Sequence, residues 1–425
     1  MGYLRRQLVT SALAANAVRP VPGTYASIPS MFAGWFVSEL APHFIVGTAV
    51  DTALELGPRH HRRTPLLGLA NIAALTYVLG QSRVSHQTFD SALVEGLGSD
   101  YRERLERTYD DLDLPTPLKQ LVWPFRIPDE GIEVIRNVPY APQFGKRGLL
   151  DVYKPEGDVA GAPVLLQVHG GGWTIGNKDQ QGLPLMKHMA RAGWVCVAIN
   201  YRLSPRDRWP AHIVDVKRAI AWIREHGEEY GADPSFIAIT GGSAGGHLTA
   251  LAALTPNDPE YQPGFEDADT TLQAAVPFYG LYDMAGTSGT KASRWLRDKF
   301  LGPRVFFTNP KKDLEPFEKA SPLLRVRQDA PPFYVIHGVN DTLAPIDQAR
   351  QFVTALRDAS DAPVAYSELE GTQHAFDVFP SIRSQHSVRG VDRFLRWAYD
   401  DVQGRAGTTG PAWERCDPLD ERSSA

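Results

Sequence analysis

The chain has 425 residues, 43% of them hydrophobic, with 44 basic and 49 acidic side chains giving a formal charge of −5. That length suits one large α/β domain with appendages or two domains, and a near-balanced charge without a long basic run argues against nucleic acid as a partner. Two cysteines, Cys196 in an apolar run and Cys416 in a polar tail, supply neither a disulfide framework nor zinc-ligand spacing, so no metal site is expected.

At the N-terminus, Arg5 and Arg6 precede a mildly apolar stretch from Leu8 to Ala17. It is too short and too poor in leucine for the core of a secretion signal, and no cleaved leader is expected. Arg6 also stands where a myristoylation motif wants Ser or Thr. Ser30 to Gly80 is the most apolar part of the chain: Met31 to Val50 carries one acid, Glu39, then comes Arg59-His60-His61-Arg62-Arg63, and Thr64 to Ser82 has no charge. An uncharged run of that length raises the question of a membrane span. Pro65, Gly68, Asn71, Thr76, Gly80, Gln81 and Ser82 interrupt it, however, and leave only about three turns of strongly apolar helix. The expectation is buried or cap-forming helices, with peripheral contact to a membrane or lipid surface through residues 30–80 as the alternative. Localisation is accordingly expected to be cytoplasmic, or peripheral to the membrane or cell envelope. Ser91 to Asp113 is charged and compatible with a helix.

Leu114-Pro115-Thr116-Pro117 punctuates the chain, and between about 115 and 130 the pattern changes from helix-like to strand-like. This divides the chain into an N-terminal helical region (1–125), a catalytic domain (126–403) and a loose tail (404–425). Ile132 to Pro139 and Leu149 to Tyr153 read as a hairpin. The apolar runs Pro163–His169, Trp194–Tyr201, Phe236–Thr240, Ala274–Phe278, Phe333–His337 and Ala365–Leu369 read as buried strands. Between and after them, Ile213–His226, Gly246–Leu254, Pro345–Leu356 and Val388–Tyr399 read as helices. Such alternation predicts a mainly parallel sheet with helices on both faces, in which ligands bind outside the carboxyl ends of the strands. From about 283 to 330 the alternation lapses into charged, aromatic and proline-containing sequence, read as an insertion facing the substrate.

Gly241-Gly242-Ser243-Ala244-Gly245 fits the G-x-S-x-G turn that lifts a serine hydroxyl above the strand ends. A serine nucleophile needs a base within hydrogen-bond reach and a third group to orient that base. Asp341 follows a buried strand and precedes a helix, whereas its rival Asp347 falls inside that helix. His374 lies in the loop after the last strand, while His337 is on a strand, His60 and His61 are in a basic turn and His386 is near the last helix. Ser243, Asp341 and His374 thus follow the order Ser, acid, His of the α/β-hydrolases. His169-Gly170-Gly171-Gly172-Trp173 supplies a glycine loop whose amides can approach the oxyanion of an acyl-transfer intermediate.

From about 130 to 400 the sequence resembles the hormone-sensitive-lipase-like branch of the α/β-hydrolase esterases. The resemblance rests on His169-Gly170-Gly171-Gly172-Trp173, Ile199-Asn200-Tyr201-Arg202-Leu203-Ser204-Pro205 with Pro210 and Asp215, Gly241 to Gly246, Asn340-Asp341 and Gln373-His374-Ala375-Phe376. It implies hydrolysis of carboxylic esters of short to medium acyl chains without metal or organic cofactor, Ser243 being the nucleophile, His374 the general base and then acid, and Asp341 its orienting partner. It also implies oxyanion donors in the amides of Gly171, Gly172 and Ala244, and a structural role for His169 in the glycine loop. Trp173, Tyr201, Tyr279 and Phe376 are candidate substrate-pocket residues. Many relatives carry Asp where this chain has Gly242, and the N-terminal region is longer than the usual helical cap, in which it resembles actinobacterial cell-envelope esterases. An amidase or formamidase reading stays open, since the same triad cleaves other acyl bonds, as does a non-catalytic receptor on the same fold.

Overall fold

Along the strands, successive side chains belong to two different cores. Val164, Leu166 and Val168 pack into one with Ile237 and Ile239, while Leu165 packs into the other with Phe236 and Ala238. Both faces of the sheet are therefore covered, as continuous apolar strand sequences require. The computed structural model describes residues 2–56, 65–103, 105, 112 and 114–406. The basic turn Arg59–Arg63 and the tail beyond 406, with Cys416, lie outside the described residues.

In chain order come α1 (Tyr3–Val18), α2 (Ser27–Glu39), α3 (Ala41–Glu55), α4 (Pro65–Leu97) and α5 (Leu118–Val122), then β1 (Ile132–Pro139), β2 (Leu149–Pro155) and β3 (Ala162–Val168). They are followed by α6 (Leu183–Arg191), β4 (Val195–Ile199), α7 (Ala211–His226), β5 (Ala232–Gly242), α8 (Ala244–Leu254) and β6 (Ala274–Phe278). The last third holds α9 (Lys291–Leu296), a π-helical segment (Arg297–Phe306), α10 (Glu315–Lys319), β7 (Phe333–Gly338), α11 (Ile346–Ala359), β8 (Val364–Leu369) and α12 (Ile382–Ala406). The eight strands form one sheet in the order β1-β2-β4-β3-β5-β6-β7-β8. Only β2 runs against the rest, being antiparallel to both β1 and β4. This is the α/β-hydrolase fold anticipated above. Every residue of α8 is buried, which explains why its sequence is small and apolar all round.

The apolar N-terminal stretch divides at Leu40 and Ala41, where Pro42 opens α3 at a position that needs no amide hydrogen. Its uncharged second half does not stop near Ser82 but continues as the 33-residue α4. Leu8 to Ala17, too weak for a leader, lies within the ordered helix α1. A small core of Ala14, Ala17, Val37, Ala41, Leu75 and Val78 joins these helices, and polar contacts pin them further. Arg6 pairs with Asp51 at 2.6 Å, and Asn71 Nδ2 donates to the Gln7 carbonyl at 2.9 Å. Where α4 crosses β8, a Cβ on Gly96 would lie 2.6 Å from the Ala365 Cα, so the helix rests directly on the edge strand. At the far end of α2, Glu39 accepts from Ser381 Oγ at 2.6 Å and pairs with Arg383, both ends of that ion pair being fully buried. No helix among the described residues is long and apolar enough to cross a membrane.

Candidate active site

Ser243 sits between β5 and α8 with φ 60° and ψ −120°, a left-handed conformation that costs a non-glycine residue of order 1–3 kcal/mol and needs surrounding structure to hold it. Its amide donates to the Phe278 carbonyl at 3.0 Å, and its own carbonyl accepts from the His247 amide at 2.9 Å. A side chain on Gly245 would collide with the Val168 carbonyl of the neighbouring strand. The elbow motif is thus a demand for close approach as well as for a sharp turn.

Asp341 and His374 leave the ends of adjacent strands. Their loops go on pairing beyond the sheet, with Val339 N donating to Leu369 O at 2.9 Å and Asn340 N to Thr372 O at 3.0 Å. His374 Nδ1 donates to Asp341 Oδ2 at 2.6 Å, which leaves Nε2 as the bare nitrogen that can accept a proton. The other Asp341 oxygen accepts from the amides of Leu343 and Ala344, each at 2.8 Å. Burial alone would raise this carboxyl, but the facing imidazoles of His374 and His337 hold it well below the usual carboxylate range. His337, set aside above as a strand residue, is a second neighbour of the acid: its Nε2 donates to the Ala344 carbonyl at 2.8 Å and lies 3.5 Å from Asp341 Oδ2. Asp347 occupies the first turn of α11, as expected. Ser243 Oγ and His374 share no hydrogen bond here, as is frequent before substrate draws catalytic groups into line.

The glycine loop runs beside the serine. A Cβ on Gly170 would lie 3.1 Å from Ser243 Cβ, and Gly170 N donates to Gln181 Oε1 at 2.7 Å. Gly171 and Gly172 have φ of 115° and 58°, conformations that favour glycine. Their amides have no hydrogen-bond acceptor among the described residues, and Ala244 N, first in α8, is one of the donors a helix start leaves free. His169 Nδ1 donates to the Gly170 carbonyl at 2.7 Å, and burial lowers its imidazole to about 4, so it is neutral at pH 7. That contact ties the imidazole to the first glycine of the loop.

The four aromatic pocket candidates do not form an open wall. Tyr201 is fully buried, stacked on His169 at 4.3 Å with its hydroxyl donating to the His169 carbonyl, so it supports the loop from beneath. Trp173 turns into the core against His247, with ring centroids 5.2 Å apart. Phe376 is buried against Phe278 and Tyr279. Tyr279 lies 4.6 Å from the His374 ring and donates to Asp377. Large rings at strand ends bury most area by filling the layer under the loops, a preference that proximity in sequence does not reveal. The residues that border the glycine loop from outside are Phe300, whose Cζ would lie 3.2 Å from a Cβ on Gly172, and Ile175, which is 69% exposed. Phe300 belongs to the π-helical segment, so the 283–330 stretch reaches the site. No cluster of three or more His, Cys, Asp or Glu side chains among the described residues is arranged to hold a metal ion.

The BD-FAE family model matches residues 150–356. Over 97% of its length this chain is 42% identical to the probable carboxylic ester hydrolase LipM of Mycobacterium tuberculosis, covering 96% of that protein. It is 40% identical to esterase LipQ of the same organism over 88% of this chain and 85% of that one. Among solved structures, an esterase of Thermogutta terrifontis, Est2 with butyrate bound, is 25% identical with a TM-score of 0.51, covering 67% of this chain and 97% of that chain.

Proposed function

Since the chain belongs to the hormone-sensitive-lipase-like branch of the α/β-hydrolase esterases and is a carboxylic ester hydrolase, we propose that it works as a serine esterase through Ser243, His374 and Asp341. The observation that carries this reading is the Asp341–His374 pair at 2.6 Å, set beside a serine held in a strained turn. His374 Nε2 takes the proton from Ser243 Oγ as the oxygen attacks the ester carbonyl, and Asp341 stabilises the imidazolium without itself being protonated. The negative charge that develops on the carbonyl oxygen is met by the amides of Gly171, Gly172 and Ala244, each such donor being worth about 3 kcal/mol or more in comparable sites. Collapse of the intermediate breaks the ester C–O bond, and the leaving alkoxide takes the proton from His374. Water, deprotonated by His374, then attacks the acyl-enzyme and releases the acid and free Ser243.

Short to medium acyl chains are the substrates this reading favours, supported by the butyrate in the Thermogutta esterase and by Phe300 crowding the glycine loop. The division at about residue 125 is read as a functional one, between a helical cap and the hydrolase proper. Peripheral contact of that cap with a lipid surface is part of the same proposal. It is supported by exposed apolar side chains that include Tyr25, Val46, Leu54, Leu56, Leu66, Leu118, Trp123 and Phe125. Replacing Ser243 with Ala tests the core of the proposal: turnover of p-nitrophenyl butyrate should fall by about four orders of magnitude or more with the thermal transition unchanged, and persistent turnover would refute it.

A further inference from the structure

We propose that α1 and α2 are positioning elements of the catalytic site, fixing the two loops that carry Asp341 and His374. The inference rests on the assignment of those residues above. It starts from the residues that flank them. Asn340, immediately before the acid, donates its side-chain amide to Ala17 O at 2.8 Å and to Val18 O at 3.3 Å. These are the last carbonyls of α1, which the helix itself leaves without partners. Thr342, immediately after the acid, donates Oγ1 to the Ser27 carbonyl at 2.8 Å, at the start of α2.

The base loop is held in the same way. Gln373, immediately before His374, is 1% exposed, and a Cβ on Gly34 of α2 would lie 2.9 Å from its Cγ. Only a glycine lets the helix come this close. Gln373 Oε1 in turn faces the amides of Thr342 at 3.4 Å and His374 at 3.3 Å, so one side chain lies between the acid and base loops and under α2. Downstream, Glu39 of α2 grips Ser381 and Arg383, and Trp35 packs on Phe379 with centroids 5.6 Å apart.

The two helices are locked to each other by Asn16, which donates to Ser30 O at 2.8 Å and accepts from Ser30 Oγ at 2.7 Å. They therefore bear on the acid loop from both sides of Asp341, and on the base loop from both sides of His374, as one unit. A triad depends on geometry held to a fraction of an ångström, and a small misplacement can cost up to a hundredfold in rate.

The test uses the full chain, because truncation would expose the surface under α2. Asn340 and Thr342 are partly exposed, so changing them leaves the core intact. Asn340→Ala with Thr342→Val should lower kcat on p-nitrophenyl butyrate about tenfold or more, with KM within about twofold and the thermal transition still cooperative and only modestly lowered. Thr342→Ser, which keeps the hydroxyl, should restore the contribution of that position when paired with Asn340→Ala. A kcat within about twofold of the parent, a loss confined to KM, or no difference between Val and Ser at 342 overturns the inference. Ser243→Ala measured alongside separates the two levels: if it stays active the triad assignment fails, whereas an inactive Ser243→Ala with a fully active double variant counts against the positioning role alone.

Discussion

Gly242 and Tyr279 compete for one space: a Cβ on Gly242 would lie 2.5 Å from the Tyr279 hydroxyl and 2.8 Å from its Cζ. Any side chain at 242, an aspartate included, would have to displace the buried Tyr279 ring. Tyr279 fills the site, and its hydroxyl donates to Asp377 beside the base loop. Gly242→Ala should destabilise the fold by roughly 1–3 kcal/mol through overpacking and lower kcat, because the displaced ring rests 4.6 Å from the His374 ring. Tyr279→Phe in the same background removes only the hydroxyl and leaves the ring carbons in the way, whereas Tyr279→Ala should lower stability further, because emptying the place of a buried ring costs more than the clash it relieves. Urea denaturation of the four proteins checks the pattern, and an unchanged midpoint for Gly242→Ala would contradict it.

Phe300 limits what can approach the glycine loop. Phe300→Ala should move preference along a p-nitrophenyl ester series from acetate to palmitate toward longer or bulkier chains, with the largest change in KM. An unshifted optimum would place the segment outside the acyl site.

Acid should unfold this protein early. Burial lowers the imidazoles of His169 and His247 to about 4 and those of His212 and His386 to about 3, while in the unfolded chain each titrates near 6.5. Between those values the unfolded state binds more protons than the native one, so stability falls as pH falls, by about 1.4 kcal/mol per pH unit for each proton taken up. The depressed Asp341 and Asp392 carboxyls add a further loss only below about pH 4. Asp215 and Asp377, raised by burial, oppose the trend at the lower end of the window. The melting temperature should decline steadily from pH 6.5 to 4.5, and a flat profile would contradict the burial of neutral histidines.

The exposed apolar side chains of the N-terminal helices should carry the protein onto lipid. Aromatic groups suited to a water–lipid boundary stand among them, Tyr25 being 94% exposed and Trp123 67%. Phe125 packs on Phe379 of the base loop with centroids 5.0 Å apart. Co-sedimentation with phosphatidylcholine vesicles should be reduced severalfold by combining Leu54→Ser, Leu66→Ser and Trp123→Ser. Equal sedimentation of parent and variant, or none by either, would contradict lipid contact.

The sheet and the chemistry were legible because each was written locally. Apolar runs marked the strands, and glycines stood where a neighbouring backbone passes too close for a side chain, as Gly245 does against Val168 O. Chain order then singled out Asp341 and His374, which the fold brings to adjacent loops. Two kinds of contact are not written in the local pattern. His337 reaches Asp341, four residues on, only because the loop after β7 folds back, and Gly34 meets Gln373 across more than 300 residues. Trp173 and Tyr201 turn into the core rather than the site: an aromatic side chain beside a catalytic motif can point either way, and spacing alone does not choose. The helix at Tyr3–Val18 carries only a weak apolar face, and its order comes from packing on α2 and α4.

The central claim is that Ser243 Oγ becomes acylated. Incubation with a fluorophosphonate, which reacts with serines activated in this way, followed by peptide mass mapping, tests it most directly. The account predicts one equivalent of phosphonate on the peptide containing Ser243, with loss of esterase activity in proportion to labelling. Full inactivation with the label on another residue, or undiminished labelling of Ser243→Ala, would contradict it.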